Sequence, residues 1–482
     1  MGIVIRQTFK NTISTYIGFG IGAINTLFLY VNFLSDEYFG LVAFILSSAN
    51  IMLPFMAFGV QNALIKFYSK FKTKNSLNSF LTLMLLLPLV FIIPTGIIGS
   101  ISYDFIATLL SKKNALVYDY VWYIYITAIA MAYFEIFFSW SKVHMKTVFG
   151  NMMREVFHRA CIAILLCGVY FEMISVDTFI LCLVGVYVVR MIIMKLYAFY
   201  LKFPVLKFNR VEGLDAILKY SFLIIIAGSI AMIVLDLDKF MIAQYLEIET
   251  VAYYSVAVFI ATVISVPQRA MHQIMMPLTA KFLNENNKDE LQSLYKKSSI
   301  NLLVISGLIF LLIVTNINML YEVLPQQFSG GLFVVLIIGL AKLYDNIMGN
   351  NNAILFNSDY YRVILFFGVL LAVLAIVLNM IFIPKYGING SALATFLAIC
   401  FYNSIKLIFV KLKLQMSPFT INTLKLFVIL AVFSFAFYSF EFSFHPIINI
   451  LLKSILTVLL YLVIVFKLNI SSDISDLIKK YI

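Results

Sequence analysis

Lys342 and Asp345 interrupt an otherwise apolar run in the stretch "GLAKLYDNIMGNNNAILFNS" (339–358). On a helix, Lys342, Asp345/Asn346, Gly349, Ala353 and Asn357 recur at three- or four-residue steps and share one face. A lysine at mid-span costs about 2.5–3.5 kcal/mol on the lipid side, so this stripe should face protein or a water-filled cavity. Two uses are open to it. Lys342 and Asp345 could neutralise each other inside a helix bundle, or the stripe could line a cavity. Asn346, Asn352 and Asn357 carry the polarity beyond the pair and favour the cavity.

Other buried polar residues follow the same logic. Ser221, Gly228/Ser229, Met232, Asp236 and Lys239 form a stripe with Asp238 nearby, although its charged end lies close enough to an interface for ordinary solvation. Asn11, Thr15, Gly18, Gly22, Asn25 and Asn32 share one face, as do Ser47, Asn50, Pro54 and Gln61. Gly18 and Gly22 read as a helix-packing face and not as a nucleotide fingerprint, since no strand precedes them. Glu135 sits deep in its span and suits either a cavity wall or a buried ion pair. Arg190 is likewise a cavity candidate, against the alternative that it snorkels from near a helix end. Lys66 and Arg269 occupy equivalent inner ends and are candidates for a basic cytoplasmic entrance, against plain anchoring.

Catalytic signatures are missing. The sequence has no GxxxxGK[ST], and its four histidines lack metal-ligand spacing. Cys161, Cys167, Cys182 and Cys400 all lie in apolar runs and read as packing residues. Neither a metal nor a cofactor is expected.

The elements that hold these residues must be membrane spans. Of the 482 residues 62% are hydrophobic and 12% charged, with mean hydropathy +0.99. The pattern predicts an all-α integral membrane protein with about 14 transmembrane helices: about 9–31, 40–64, 79–101, 117–140, 157–174, 177–200, 219–238, 250–268, 299–319, 331–355, 363–383, 391–410, 424–441 and 447–466. The net charge of +12 is distributed by topology. Lys66, Lys142, Arg154, Arg159, Lys202, Lys207, Lys406 and most other cations fall on one side, while Lys453 is among the few on the other. Both termini are therefore expected in the cytoplasm, and nucleic acid is not a partner. Trp122 and Trp140 could mark opposite interfaces of one span. The segment 269–298 reads as a surface helix through Leu283, Leu291 and Leu294. The tail places Ile474, Leu477, Ile478 and Tyr481 on one amphipathic face.

"YFGLVAF" (38–44) and "YYSVAVF" (253–259) open the second and eighth spans, each after a short acidic turn. An even number of helices separates them, so the repeats should be parallel. This divides the chain into two six-helix lobes, 1–210 and 211–418, plus 419–482 with two additional helices and the tail. Pro54, Pro88, Pro94 and Pro267 interrupt spans where bending would accompany alternating access.

"LNMIFIPKYGINGSALATFLA" (378–398) resembles the end of the eleventh helix, tight turn and start of the twelfth in bacterial polysaccharide flippases. These belong to the multidrug/oligosaccharidyl-lipid/polysaccharide exporter superfamily. "FLNENNKDELQSLYKKSS" and "LSDEYFGLVAF" resemble that family's loop before the ninth helix and turn after the first. The resemblance covers about 1–415. It implies lobes rocking about a central cavity in the bacterial cytoplasmic (inner) membrane. It also implies an undecaprenyl-pyrophosphate-linked oligosaccharide as cargo, for O-antigen or lipopolysaccharide-type polysaccharide biosynthesis. A polysaccharide polymerase and chain-length machinery become candidate partners beside membrane lipids, and a monomer is the expected state.

Two rivals stand against this expectation. A proton- or Na⁺-coupled multidrug antiporter of the same superfamily would need an exchangeable carboxylate, for which Glu135, Asp236 and Asp345 are available. A membrane enzyme of polysaccharide assembly would need a large outer loop or a buried catalytic histidine, and neither is evident.

Overall fold

A computed structural model describes residues 2–227 and 230–481; Gly228 and Ser229 of the predicted stripe, and the side chain of Met232, lie outside the described residues. The described residues are helical, with no strand among them. Eleven of these helices are long and apolar enough to cross a bilayer. Five of them begin where a short polar side chain satisfies a free amide of the first turn. Ser35 accepts from the Tyr38 amide ahead of Asp36–Ala57, and Asp36 and Glu37 complement the helix dipole. Thr73, Ser175 and Asn287 cap Lys74–Leu86, Val176–Leu201 and Lys288–Val323 in the same way. Thr420 and Thr423 close a reciprocal capping box before Ile421–Tyr438.

Where the helices break matters more for the site. The span opening at Asp36 ends at Ala57, because Phe58 and Gly59 both adopt positive φ (51° and 65°). Gln61 consequently lies on the next helix, Val60–Phe67, away from the face of Ser47 and Asn50. A second break falls inside the stretch that holds Lys342. Leu332–Ile347 stops, Gly349 takes φ 52°, and Asn351–Asn357 begins. The predicted stripe is thus cut: Lys342, Asp345 and Asn346 share one helix, whereas Ala353 and Asn357 belong to another. Gly387, at φ 58° and ψ −137°, is the joint within Tyr361–Leu414, where the sequence places a tight turn. The expected surface helix over 269–298 is also two pieces. Val266–Asn284 and Lys288–Val323 are separated by a turn in which Asn286 has φ 53°, so Leu283 and Leu291 lie on different helices.

Two short π-helical segments, Asn25–Leu29 and Met153–Phe157, interrupt the α geometry of their helices. Such wide turns reorient side chains and are frequent at functional positions.

The chain forms two compact units, Met1–Ala252 and Tyr253–Ile482. Ile230–Tyr245, the seventh span, packs on Asp36–Ala57 in the first unit, where Phe44 and Phe240 stack at 5.7 Å. Phe80, Phe134, Phe137, Met194 and Trp140 fill the core of the first unit. Trp140 is fully buried and so does not mark an interface. In the second unit Phe310, Leu303, Leu430, Phe433 and Tyr461 form the core. Two cations assigned to the loops by sequence are also buried: Lys406 within Tyr361–Leu414 and Lys453 within Pro446–Lys467. The tail helix Ser472–Tyr481 is fastened by Asp473, whose carboxylate accepts from Asn301 Nδ2 at 2.8 Å.

Candidate functional site

Each unit contains a polar cluster with buried members, and the two are described separately. In the first unit the cluster is built where the two π-helical segments meet. Gly18 makes this approach possible, since a Cβ there would lie 2.5 Å from the Glu155 carbonyl oxygen and 2.7 Å from Arg159 Nη1. About two turns further on, Asn25 is buried and donates through Nδ2 to the Arg159 carbonyl at 2.8 Å. Glu135 of Val121–Val143 pairs with Arg154 at 3.6 Å, and Glu155 pairs with Arg159 at 3.3 Å.

Arg190 completes the set. It is 6% exposed and does not snorkel, which corrects that alternative. Its guanidinium lies 4.3 Å from the centre of the Phe134 ring and 4.8 Å from Tyr187, with Nη1 3.4 Å from His158 Nδ1. Aromatic faces stabilise a desolvated guanidinium without neutralising it. Its Nε finds no hydrogen-bond acceptor among the described residues, and neither does Asn25 Oδ1 find a donor. Three guanidiniums therefore stand against two carboxylates, and one of the three keeps an uncommitted N–H. Such a cluster can bind an oxyanion by charge-assisted hydrogen bonds.

Asp236 and Lys239 approach each other at 3.8 Å, both half-buried, and Asn50 adds a hydrogen bond to the Asp236 side chain. The stripes of the second and seventh spans thus meet through this amide. Lys66 is exposed, with its ammonium 3.9 Å from the centre of the Tyr220 ring. At the same end, burial, with Lys202 adding to it, pushes the pKa of His144 down, so that its ring stays neutral beside Tyr68.

The cluster of the second unit centres on Asp345. Its Oδ2 accepts from Gln268 Nε2 and its Oδ1 from Asn403 Nδ2, both at 3.2 Å. Lys406 and His272 lie within its electrostatic reach. The Lys406 ammonium donates to Asn352 Oδ1 at 2.8 Å and sits 3.9 Å from the centre of the Tyr402 ring. Asn346 donates to the Ile264 carbonyl at 2.7 Å, Asn351 to the Tyr295 hydroxyl at 2.7 Å, and Asn350 to Thr279. The side-chain oxygens of Asn346, Asn350, Asn351 and Asn403 are buried and have no donor among the described residues. They are acceptors suited to hydroxyl groups. Lys342 is half-buried on the same helix as Asp345, and Arg269 is exposed one residue after Gln268.

Of the cavity candidates named from the sequence, the structure brings Asn25, Glu135 and Arg190 into one unit's cluster and Asp345 and Asn346 into the other's. Sequence reasoning missed Arg154 and Arg159, read as cytoplasmic anchors, and Lys406 with Asn403. The Asn403/Lys406 spacing inside the apolar stretch 391–410 was the available signal. Among the described residues no group of His, Cys, Asp and Glu could hold a metal ion, and all four cysteines are free.

Comparison with known proteins gives a consistent neighbourhood. The family model described as polysaccharide biosynthesis protein matches residues 4–282. A search of curated proteins finds no match. Among solved structures, the lipid II flippase MurJ in an inward closed conformation aligns with TM-score 0.72 at 15% identity, over 97% of this chain and all of that one. An inward-facing multidrug resistance MATE family transporter of the MOP superfamily aligns with TM-score 0.64 at 13% identity, over 84% of this chain and 94% of the other. A MOP superfamily transporter from Pyrococcus furiosus, whose binding pocket is described as reversed in polarity, aligns with TM-score 0.58 at 11% identity, over 86% and 95%.

Proposed function

This chain belongs to the polysaccharide biosynthesis protein family, and from that premise we propose that it is a flippase for a polyprenyl-pyrophosphate-linked oligosaccharide. It moves this cargo from the inner to the outer leaflet of the bacterial cytoplasmic membrane, and it is a transporter and not an enzyme. About 14 helices with both termini in the cytoplasm, arranged as parallel repeats over 1–210 and 211–418 with 419–482 added, provide the alternating-access frame. It works as a monomer, with a polysaccharide polymerase and chain-length machinery as partners.

The observation that carries this reading is the cationic excess of the first unit's cluster, with the uncommitted Arg190 Nε at its centre. A pyrophosphate leaving water needs fixed cations, and a guanidinium supplies paired donors as well as charge. The sugar hydroxyls need acceptors beside the pyrophosphate, and the buried Asn25 Oδ1 of the same cluster has no donor among the described residues. The described carboxylates of the two clusters argue against the antiporter. Glu135 pairs with Arg154, Asp236 with Lys239, and Asp345 holds two amides with Lys406 nearby. A drug cation would have to displace partners already in place.

The experiment is translocation of a fluorescent undecaprenyl-pyrophosphate oligosaccharide in proteoliposomes. Translocation by the wild type supports the proposal; its absence, beside ion-driven efflux of organic cations, sinks it.

A further inference from the structure

The first unit also contains an apolar groove far richer in surface than its polar cluster requires. Its volume is about 890 Å³, and its walls include Leu85, Leu89, Ile129, Tyr133 and Phe199. The segment 203–206 closes one side, with Phe203 70% and Leu206 60% exposed. Tyr133 spends its hydroxyl on the Leu85 carbonyl at 3.1 Å, so Lys195 is the groove's one charged wall. This volume falls within the range of small-molecule sites, about 300–1,000 Å³.

The charges around the groove are asymmetric. Val176–Leu201 ends six residues after Lys195, about 9 Å along the helix axis. Lys202 follows directly. The chain then runs back beside Lys74–Leu86, where the Lys207 amide donates to Thr82 Oγ1 and the Lys207 ammonium to Asn75 Oδ1, both at 3.0 Å. Among the described residues no carboxylate pairs with Lys195, Lys202 or Lys207. The Lys195 ammonium lies 5.6 Å from the centre of the Phe199 ring. Cations at one end and an apolar trough beyond them match a molecule with an anionic head and flexible hydrocarbon chains.

We propose that this groove binds one anionic phospholipid, with its phosphate at Lys195 and its acyl chains along Leu85, Leu89 and Ile129. The site lies within one unit and does not depend on which cargo the protein moves. It gives the first unit a fixed lipid contact at the end where its lysines gather, through the attraction of each basic side chain for an anionic surface.

Trp140 reports on the groove, because its ring lies 6.0 Å from that of Phe199. In a Trp122→Phe background Trp140 is the sole indole, as the sequence has two tryptophans. The full-length protein would be reconstituted in phosphatidylcholine vesicles, and phosphatidylglycerol with brominated chains titrated against brominated phosphatidylcholine. The proposal expects half-maximal quenching at about fivefold lower mole fraction for phosphatidylglycerol, the share of one lysine. Lys195→Ala should erase the preference and Lys195→Arg restore it. Equal quenching by both lipids, or a preference that survives Lys195→Ala, would overturn the proposal. So would relief of quenching by undecaprenyl phosphate at mole fractions where unbrominated phosphatidylglycerol has no effect, since the occupant would then be a polyprenyl chain.

Discussion

Replacing Asp345 tests whether its cluster is a stabilising device, and the contacts set the scale. Asp345→Ala removes the acceptor of two buried amides, Gln268 and Asn403. Leaving a buried donor unsatisfied costs about 1–3 kcal/mol, and Gln268 Nε2 keeps only the Asp345 carbonyl at 3.5 Å, so the loss lies between one stranded donor and two, about 1–6 kcal/mol. Asp345→Asn keeps one acceptor oxygen and loses the other, which predicts about 1–3 kcal/mol. Lys406 adds a coupled term. Its ammonium is buried with an amide oxygen and a ring as direct neighbours, so the nearby carboxylate offsets part of its desolvation. Lys406→Met alone should cost about 1.5–3 kcal/mol through the lost charged hydrogen bond to Asn352. Combined with Asp345→Asn it should cost less than the sum, since removing both charges is far milder than stranding one. Equilibrium unfolding in mixed SDS micelles would measure the three single variants and the double variant. Additivity within about 0.5 kcal/mol would refute the coupling, and an Asp345→Ala protein as stable as wild type would refute the cluster's structural weight.

Two further outcomes follow from the geometry. Arg190→Gln should weaken binding of the pyrophosphate-linked cargo by about tenfold or more, because a charge-assisted hydrogen bond contributes about 1.5–3 kcal/mol. Arg190→Lys should recover only part of it, read by titration of the labelled cargo. Gly349→Ala should destabilise the second unit by at least about 1–2 kcal/mol, read in the same unfolding assay. The residue has φ 52°, and a Cβ would lie 2.7 Å from the Ser299 amide nitrogen.

The helices were legible because apolar length can be read directly from the sequence, and the bilayer enforces it. The capping residues Ser35, Thr73, Ser175 and Thr420 likewise declare their helices locally. What stayed hidden depends on wide turns and breaks. Helical periodicity carried Lys342 through to Asn357 on one face, but Gly349 adopts a left-handed conformation and splits the run. The π segments at Asn25 and Met153 shift the register by one residue, which brings Arg159 to Asn25 and draws Arg154 to Glu135. Cations near helix ends are ordinarily anchors, so Arg154, Arg159 and Lys406 could be recognised as cluster members only from tertiary packing. Arg190 was suspected for its position; Tyr187 lies one helical turn before it, whereas its burial against Phe134 depends on a helix distant in sequence.

The central claim is that this protein translocates a polyprenyl-pyrophosphate-linked oligosaccharide, and the most direct measurement is leaflet exchange of the fluorescent cargo in proteoliposomes. Wild-type protein should transfer it across the bilayer. Arg190→Gln should lose that transfer while retaining its unfolding midpoint, and Lys342→Ala should slow it. If the wild type leaves the cargo in its starting leaflet but exports an organic cation against a proton or Na⁺ gradient, the flippase account is wrong.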